Sequence, residues 1–303
     1  MFEGFSDKRV ATSRGQIALY QGGSGPPVLL LHGFPETRVA WHRVAPSLAC
    51  RFTIVAADLP GYGDSAGPAA TDDHAAHSKR AFAMTLFEAM RQLGFERFAV
   101  IGHDRGARVA YRLAIDAPGS VAALGVLDVV PSLDMATALT HDLAVEMANW
   151  FFLSQRSATA ERLITCAGAD YLDAILAAWA GRGDAITPEA RREYARCFVR
   201  PEVIAAFCEE YRAGATIDLE HERADRARGH RIRCPTLALW SASGLTGRFF
   251  EPLSAWRRWA EAVRGSALAC GHFLMEEAPE EVTAHLSEFL GSSAKTSSDL
   301  LDR

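Results

Sequence analysis

An acidic residue stands at the centre of Gly102-His-Asp-Arg-Gly106, where an apolar run gives way to a helical pattern. The Asp104 carboxylate, with a reference pKa near ~4, is ionised at neutral pH and needs no base before it attacks. It could displace a halide or an epoxide oxygen from a saturated carbon and become an ester of the protein. An Asp here could equally cap the helix that follows. An ester has to be hydrolysed, which calls for a base that activates water. Among the ten histidines only His272 follows the last strand pattern, in Ala-Cys-Gly-His-Phe-Leu, although it could also be a turn residue. The acid to orient its imidazole is absent from Trp240-Ser-Ala-Ser-Gly-Leu-Thr-Gly247, which holds no carboxylate. Asp128 is the alternative: it closes an apolar strand, where an Asp is costly to bury without a partner, and His272 would be that partner. Otherwise Asp128 is a turn residue ahead of Pro131. Arg105 and Arg108 lie three apart and share a helix face beside Asp104. Two cationic forks there suit a small anionic substrate held through its carboxylate, and they favour an ionised Asp104. Solvated helix charges are the plainer alternative.

These residues need elements to carry them. Phe98 to Ile101 reads as a buried parallel strand, and from Gly106 the spacing of Val109, Ala110, Leu113 and Ala114 is helical. Strand, Gly-x-x-x-Gly turn and helix resemble the nucleophile elbow of α/β-hydrolases, with Asp in place of Ser. Val28 to Leu31 is another apolar strand, ending in His32-Gly-Phe-Pro35. In such a fold the loop after it supplies an oxyanion-hole N–H, assigned to Phe34, with a second from Arg105; a simple turn is the alternative. Further strands are expected at Val10–Ala11, Ile17–Tyr20, Phe52–Asp58, Val121–Val130, Cys234–Trp240 and Ser266–Cys270, and helices at Ser78–Leu93 and Pro279–Leu290. Between Ser132 and Arg228 strand signals vanish. Helices are expected there at Leu133–Leu153, Ala158–Ala167, Tyr171–Ala180, Pro188–Phe198 and Pro201–Arg212. The alternation predicts an α/β fold with a mostly parallel sheet, whose core domain spans 1–131 and 229–303. Residues 132–228 form an inserted helical cap domain able to roof the edge where Asp104 sits. The polar tail from Ser292 is expected to fray.

The 303 residues, 49% of them hydrophobic and 23% charged, are ample for a substantial core. A formal net charge of −5 argues against nucleic acid as partner. No apolar run approaches the ~18 residues of a membrane span, and the first residues lack a signal-peptide core. His74 and His77 read as surface residues without a second ligand at metal spacing. The six cysteines read as scattered, reduced, mostly buried thiols. The expectation is a cytoplasmic enzyme, without metal or cofactor and acting at no membrane; a homodimer is compatible with it.

Gly102-His-Asp-Arg-Gly106 with Arg108, Leu127-Asp128 and Gly271-His-Phe273 resemble the haloacetate dehalogenases, fluoroacetate dehalogenase among them. His32-Gly-Phe-Pro35, Asp58-Leu-Pro-Gly-Tyr-Gly63 and Glu210-Tyr-Arg-Ala-Gly214 extend the resemblance over about residues 2–290. It implies a nucleophilic Asp104, a His272–Asp128 pair, Arg105 and Arg108 on the carboxylate of a 2-haloacid, and a halide cradle at position 149, Trp150 and Tyr211. The family pattern has His at position 149; this chain has Asn149. From the residues alone Trp150 and Tyr211, an indole N–H and a phenol O–H, could equally be core of the insertion. Hydrolysis of chloro- and bromoacetate in preference to fluoroacetate is therefore expected. An epoxide hydrolase is one rival; it needs two cap tyrosines, and Tyr171, Tyr194 and Tyr211 are available. A non-catalytic relative that binds a small carboxylate is the other.

Overall fold

The computed structural model describes residues 1–298, with side chains as far as residue 293. Eight strands form one sheet: β1 (Ser6–Thr12), β2 (Gly15–Gly22), β3 (Pro27–Leu31), β4 (Thr53–Ala57), β5 (Phe98–His103), β6 (Val121–Leu127), β7 (Thr236–Ser241) and β8 (Val263–Leu268). Their order is β1-β2-β4-β3-β5-β6-β7-β8; the β1–β2 and β2–β4 pairings are antiparallel and the remaining ones parallel. β5 is buried along its whole length, as its unbroken apolar run requires. Because β3 and β5 to β8 run the same way, the loops that leave their carboxyl ends gather on one edge of the sheet. Register fixes their spacing: His103 pairs with Leu127, and Leu127 with Leu239, so Asp104 and Asp128 emerge at the same level on adjacent strands.

Outside the sheet, α1 (Ala45–Ala49), α2 (Lys79–Gln92) and α3 (Asp104–Asp116) belong to the first half of the chain. Ser78 starts α2 by accepting a hydrogen bond from the Ala81 N–H at 3.2 Å. Eight helices fill the stretch between β6 and β7: α4 (Ser132–Thr137), α5 (His141–Glu146), α6 (Ala148–Leu153), α7 (Thr159–Ala167), α8 (Ala169–Trp179), α9 (Pro188–Phe198), α10 (Pro201–Ala215) and α11 (Ile217–Ala227). After β7 come α12 (Leu245–Phe249) and α13 (Pro252–Arg257), and after β8 α14 (Leu274–Glu277) and α15 (Pro279–Ser298).

Several expectations need correction. The single helix expected over Leu133–Leu153 is three short ones, because Thr140 caps a new start by accepting from the Leu143 N–H at 3.3 Å. α11 was not anticipated. It buries Asp218, Glu222 and Asp225 through hydrogen bonds and ion pairs rather than an apolar stripe, so it lacks the usual helical signature. β6 stops at Leu127, short of Val130. β8 begins at Val263 and ends at Leu268, before Cys270; as the last strand of the sheet it is only partly covered and reads as polar. His77 is buried with its ring against Phe82, and His74 is half-buried against the Glu209 carboxylate at 2.7 Å; neither is a free surface residue. All six cysteines are free, but only Cys197, Cys208 and Cys270 are buried. The tail from Ser292 continues α15 as far as Ser298; 299–303 lie outside the described residues.

Candidate active site

Asp104 begins α3 with φ +43°, a conformation few non-glycine residues adopt. The turn closes because Gly102 and Gly106 lack side chains: a methyl at Gly102 would strike the Gly106 carbonyl, and one at Gly106 the His32 carbonyl. Asp128, at φ +51°, is strained in the same way. Strain of this kind concentrates where a side chain must be aimed.

The carboxylate that the turn presents is held at one end only. Oδ2 accepts the Phe34 N–H at 3.2 Å. Burial pushes the Asp104 carboxyl up, but the charges of His272, Arg105, His103 and Arg108 outweigh it and hold the group below its usual range. Across the sheet edge, His272 Nδ1 lies 2.7 Å from Asp128 Oδ2, and the Ser241 N–H donates to Asp128 Oδ1 at 3.0 Å. Thus Asp128, one strand farther from His272 than the barren loop after β7, reaches it across the end of that strand, while β7 contributes only a backbone N–H. The Nε2 atom of His272 is buried without a hydrogen-bond partner. Its loop is fixed from below by Glu277, which accepts the Gly271 and Phe273 N–H groups at 2.9 and 3.1 Å. From the insertion, the Trp179 carbonyl accepts the His272 N–H at 3.0 Å, and the indole packs edge-on to the imidazole.

A cavity of about 270 Å³ opens above these groups. Asp104, Asp128 and His272 line it from the sheet edge, Arg105 and Arg108 from α3, and Asn149, Trp150 and Tyr211 from the inserted helices. The structure therefore brings every candidate to the cavity wall except Phe34, which reaches the site through its N–H on Asp104 and packs its ring behind Tyr211. Glu210 binds Arg105 through Nε at 2.8 Å and Nη2 at 2.7 Å, leaving Nη1, and the guanidinium lies 4.0 Å from the Tyr211 ring centroid. Arg108 donates to Ser132 Oγ at 2.6 Å; no carboxylate among the described residues pairs with it, and its buried Nε has no partner. Trp150 faces both guanidinium groups, at 5.5 and 5.0 Å. Asn149 Oδ1 accepts from the Tyr171 hydroxyl, so its buried Nδ2 is left unpaired. Burial pushes the Tyr211 phenol well above its usual value, which keeps it an O–H donor.

Some site residues escaped the sequence. Met135, Met147 and Leu245 give the cavity an apolar side, and at its mouth Arg248 of α12 meets Glu146 of α5 at 2.9 Å. None belongs to a motif. Glu36 follows one of the two turns that were recognised and His103 lies inside the other, and that placement was their only signal.

The chain matches the α/β hydrolase fold family over residues 26–279. It is 40% identical over 294 residues to a fluoroacetate dehalogenase of a Burkholderia species, covering 97% of this chain and 96% of that one. A soluble epoxide hydrolase of Corynebacterium is 34% identical over 86% of this chain and 88% of its own length. Among solved structures, a candidate α/β hydrolase from Nostoc superposes with TM-score 0.94 at 47% identity, covering 96% of this chain and 99% of that one. A variant of a candidate epoxide hydrolase from Pseudomonas aeruginosa, with bound MFA, gives TM-score 0.92 at 44% identity over 97% and 98% of the two chains. This chain thus belongs to the α/β-hydrolases. Within them it belongs to the haloacetate dehalogenase family, the group that holds the Burkholderia fluoroacetate dehalogenase.

Proposed function

We propose that the protein hydrolyses the carbon–halogen bond of 2-haloacetates, giving glycolate and halide, with Asp104 as nucleophile. One observation carries the reading: an ionised Asp104, anchored through Oδ2, shares a cavity with Arg108, a buried cation that forms no ion pair with any carboxylate among the described residues. A buried unpaired cation is costly and favours an anionic ligand. The haloacetate carboxylate meets Arg108 and the spare Nη1 of Arg105, which sets the α-carbon before Asp104 Oδ1. Oδ1 bonds to that carbon while halide leaves with the C–X electron pair toward Trp150, Tyr211 and Asn149. His272 Nε2 then takes a proton from water, whose oxygen adds to the Asp104 carboxyl carbon. The Phe34 and Arg105 N–H groups stabilise the oxyanion. Collapse returns the proton to the departing glycolate oxygen and regenerates Asp104. Residues 132–228 act as the cap domain over a core of 1–131 and 229–303, and the site works without metal or cofactor, in the cytoplasm, on a small anionic 2-haloacid.

Halide release from fluoro-, chloro- and bromoacetate beside one epoxide tests this: turnover of chloro- and bromoacetate is expected, and hydrolysis of the epoxide alone would overturn it. The epoxide reading has relatives in its favour but lacks a second phenol. Of the three candidates only Tyr211 lines the cavity; the Tyr171 hydroxyl is bound to Asn149, and that of Tyr194 to Glu276 at 2.5 Å.

A further inference from the structure

His103 immediately precedes Asp104, is fully buried, and meets an acceptor at each ring nitrogen. Nδ1 lies 2.9 Å from Glu36 Oε2 and Nε2 lies 2.8 Å from the His272 carbonyl oxygen. A neutral imidazole has one N–H and one lone pair, so it cannot donate to a carboxylate and a carbonyl together. Only the imidazolium donates both ways. Glu36 Oε2 also accepts the Gly33 N–H at 3.1 Å, while Oε1 is buried without a partner. A proton on Oε1 would be unpaired, and one on Oε2, aimed at His103 Nδ1, would turn that oxygen into a weaker acceptor for the Gly33 N–H. Nearby His32 shows the opposite arrangement. Its Nδ1 faces the Gly33 carbonyl at 2.8 Å and its Nε2 accepts the Leu59 N–H at 3.1 Å, which suits the neutral ring.

We propose that His103 is a positioning residue that carries a fixed positive charge in the floor of the site, clamped between Glu36 and the His272 carbonyl, where it sets the His272 loop and favours the ionised Asp104. This rests on Asp104 as nucleophile and His272 as base. The rings of His103 and His272 lie 4.6 Å apart, so the Glu36–His103 and Asp128–His272 pairs stand back to back. The titratable groups facing His103 are Glu36 and His32 from the loop after β3, Asp104 of α3, Asp128 after β6 and His272 after β8. Burial pushes the His103 imidazole down, but the charge and hydrogen bond of Glu36, followed by Asp104 and Asp128, lift it to about 9. Because the folded value is raised, the stability it contributes is complete below the ordinary 6.5 and disappears as pH rises through about 9.

The test is nitrogen NMR of the whole protein labelled in histidine, at pH values between 6.5 and about 9. One imidazole is expected with both nitrogens protonated; it should vanish in His103→Gln and titrate at lower pH in Glu36→Gln. Dehalogenation by the unmodified protein should fall as pH passes about 9. Glu36→Gln should move that limb down by about one pH unit or more. His103→Gln should abolish the limb and lower kcat roughly ten- to a hundredfold, the weight of one charge-assisted hydrogen bond. KM should change little, since His103 does not line the cavity. A singly protonated ring at every histidine in the unmodified protein would overturn the proposal, as would an unmoved alkaline limb in Glu36→Gln. The spectrum needs no turnover, so it separates this inference from the identity of the substrate. Should His103→Gln fail to fold, the unmodified protein and Glu36→Gln decide.

Discussion

The floor and the roof of the cavity are built on different terms. On the floor, Asp128 accepts on both oxygens, His272 has one nitrogen on Asp128, and Asp104 is pinned through Oδ2. Only Asp104 Oδ1 and His272 Nε2, the atoms the proposed reaction uses, are left over. On the roof, Trp150 Nε1, the Tyr211 hydroxyl and Asn149 Nδ2 have no hydrogen-bond partner among the described residues. In the proposed function, a committed floor fixes one reaction and a roof of spare donors sorts what undergoes it. The arginines show the same contrast within one helix. Arg105 is neutralised by Glu210, which also meets Lys79, itself 3.0 Å from Asp218. Behind Arg108 stand only neutral groups, Ser132 and the Tyr111 hydroxyl, before the chain reaches Glu222, whose carboxyl burial pushes up. Arg105 is tied into the structure, whereas the charge of Arg108 stays unpaired, as the proposed carboxylate contact requires.

The largest expected effect is on the floor. His272→Asn should release about one equivalent of halide per site and then stop, because the ester forms without a base but is not hydrolysed. Sustained turnover by that variant would remove His272 from the second step. The arginines come next and should part company. Arg108→Leu should lower kcat/KM for chloroacetate about a hundredfold, the loss of a contact worth roughly 1.5–3 kcal/mol. Its melting temperature should hold or rise, since an unpaired buried charge is removed. Arg105→Leu leaves Glu210 short of its partner and should be destabilised by roughly 3 kcal/mol or more. Equal thermal shifts in the two variants, followed by calorimetry, would erase the distinction.

The smallest effect belongs to the roof. Fluoride concentrates its charge on one small atom and leaves poorly, so its departure depends on donors that tighten as charge develops. Asn149 offers a neutral amide N–H where a histidine could offer a charged one, and charged donors bond about twice as strongly. The unmodified protein should hydrolyse chloro- and bromoacetate well and fluoroacetate weakly. Asn149→His should raise fluoroacetate turnover relative to chloroacetate by roughly tenfold, about 1.4 kcal/mol of barrier. Fast fluoride release by the unmodified protein, read with an ion-selective electrode, would show that the amide suffices.

The same contrast explains what was legible in the sequence. The floor is written locally: a buried strand, a glycine-framed turn and a polar residue at its tip fall within a few positions, so Asp104, Asp128 and His272 could be singled out before any geometry was known. Even the missing carboxylate after β7 was visible, and it pointed to Asp128, which the structure places 2.7 Å from His272. The roof and its supports are written at long range. Glu210 meets Arg105 across 105 positions, and Glu222 meets Tyr111 across 111; neither pairing has a local signature. α11 went unseen because it buries carboxylates instead of an apolar stripe. The charge proposed for His103 was hidden too, since it depends on two acceptors, one of which lies 169 positions away.

The ester on Asp104 is tested most directly by one turnover, with enzyme in excess over chloroacetate, in water enriched in heavy oxygen. Water attacks the Asp104 carboxyl carbon in the proposed route, so the heavy oxygen should appear in the peptide that contains Asp104 and be absent from the first glycolate released. Heavy oxygen in that glycolate, with an unlabelled Asp104 peptide, would mean that water attacks the substrate carbon directly and that no ester forms.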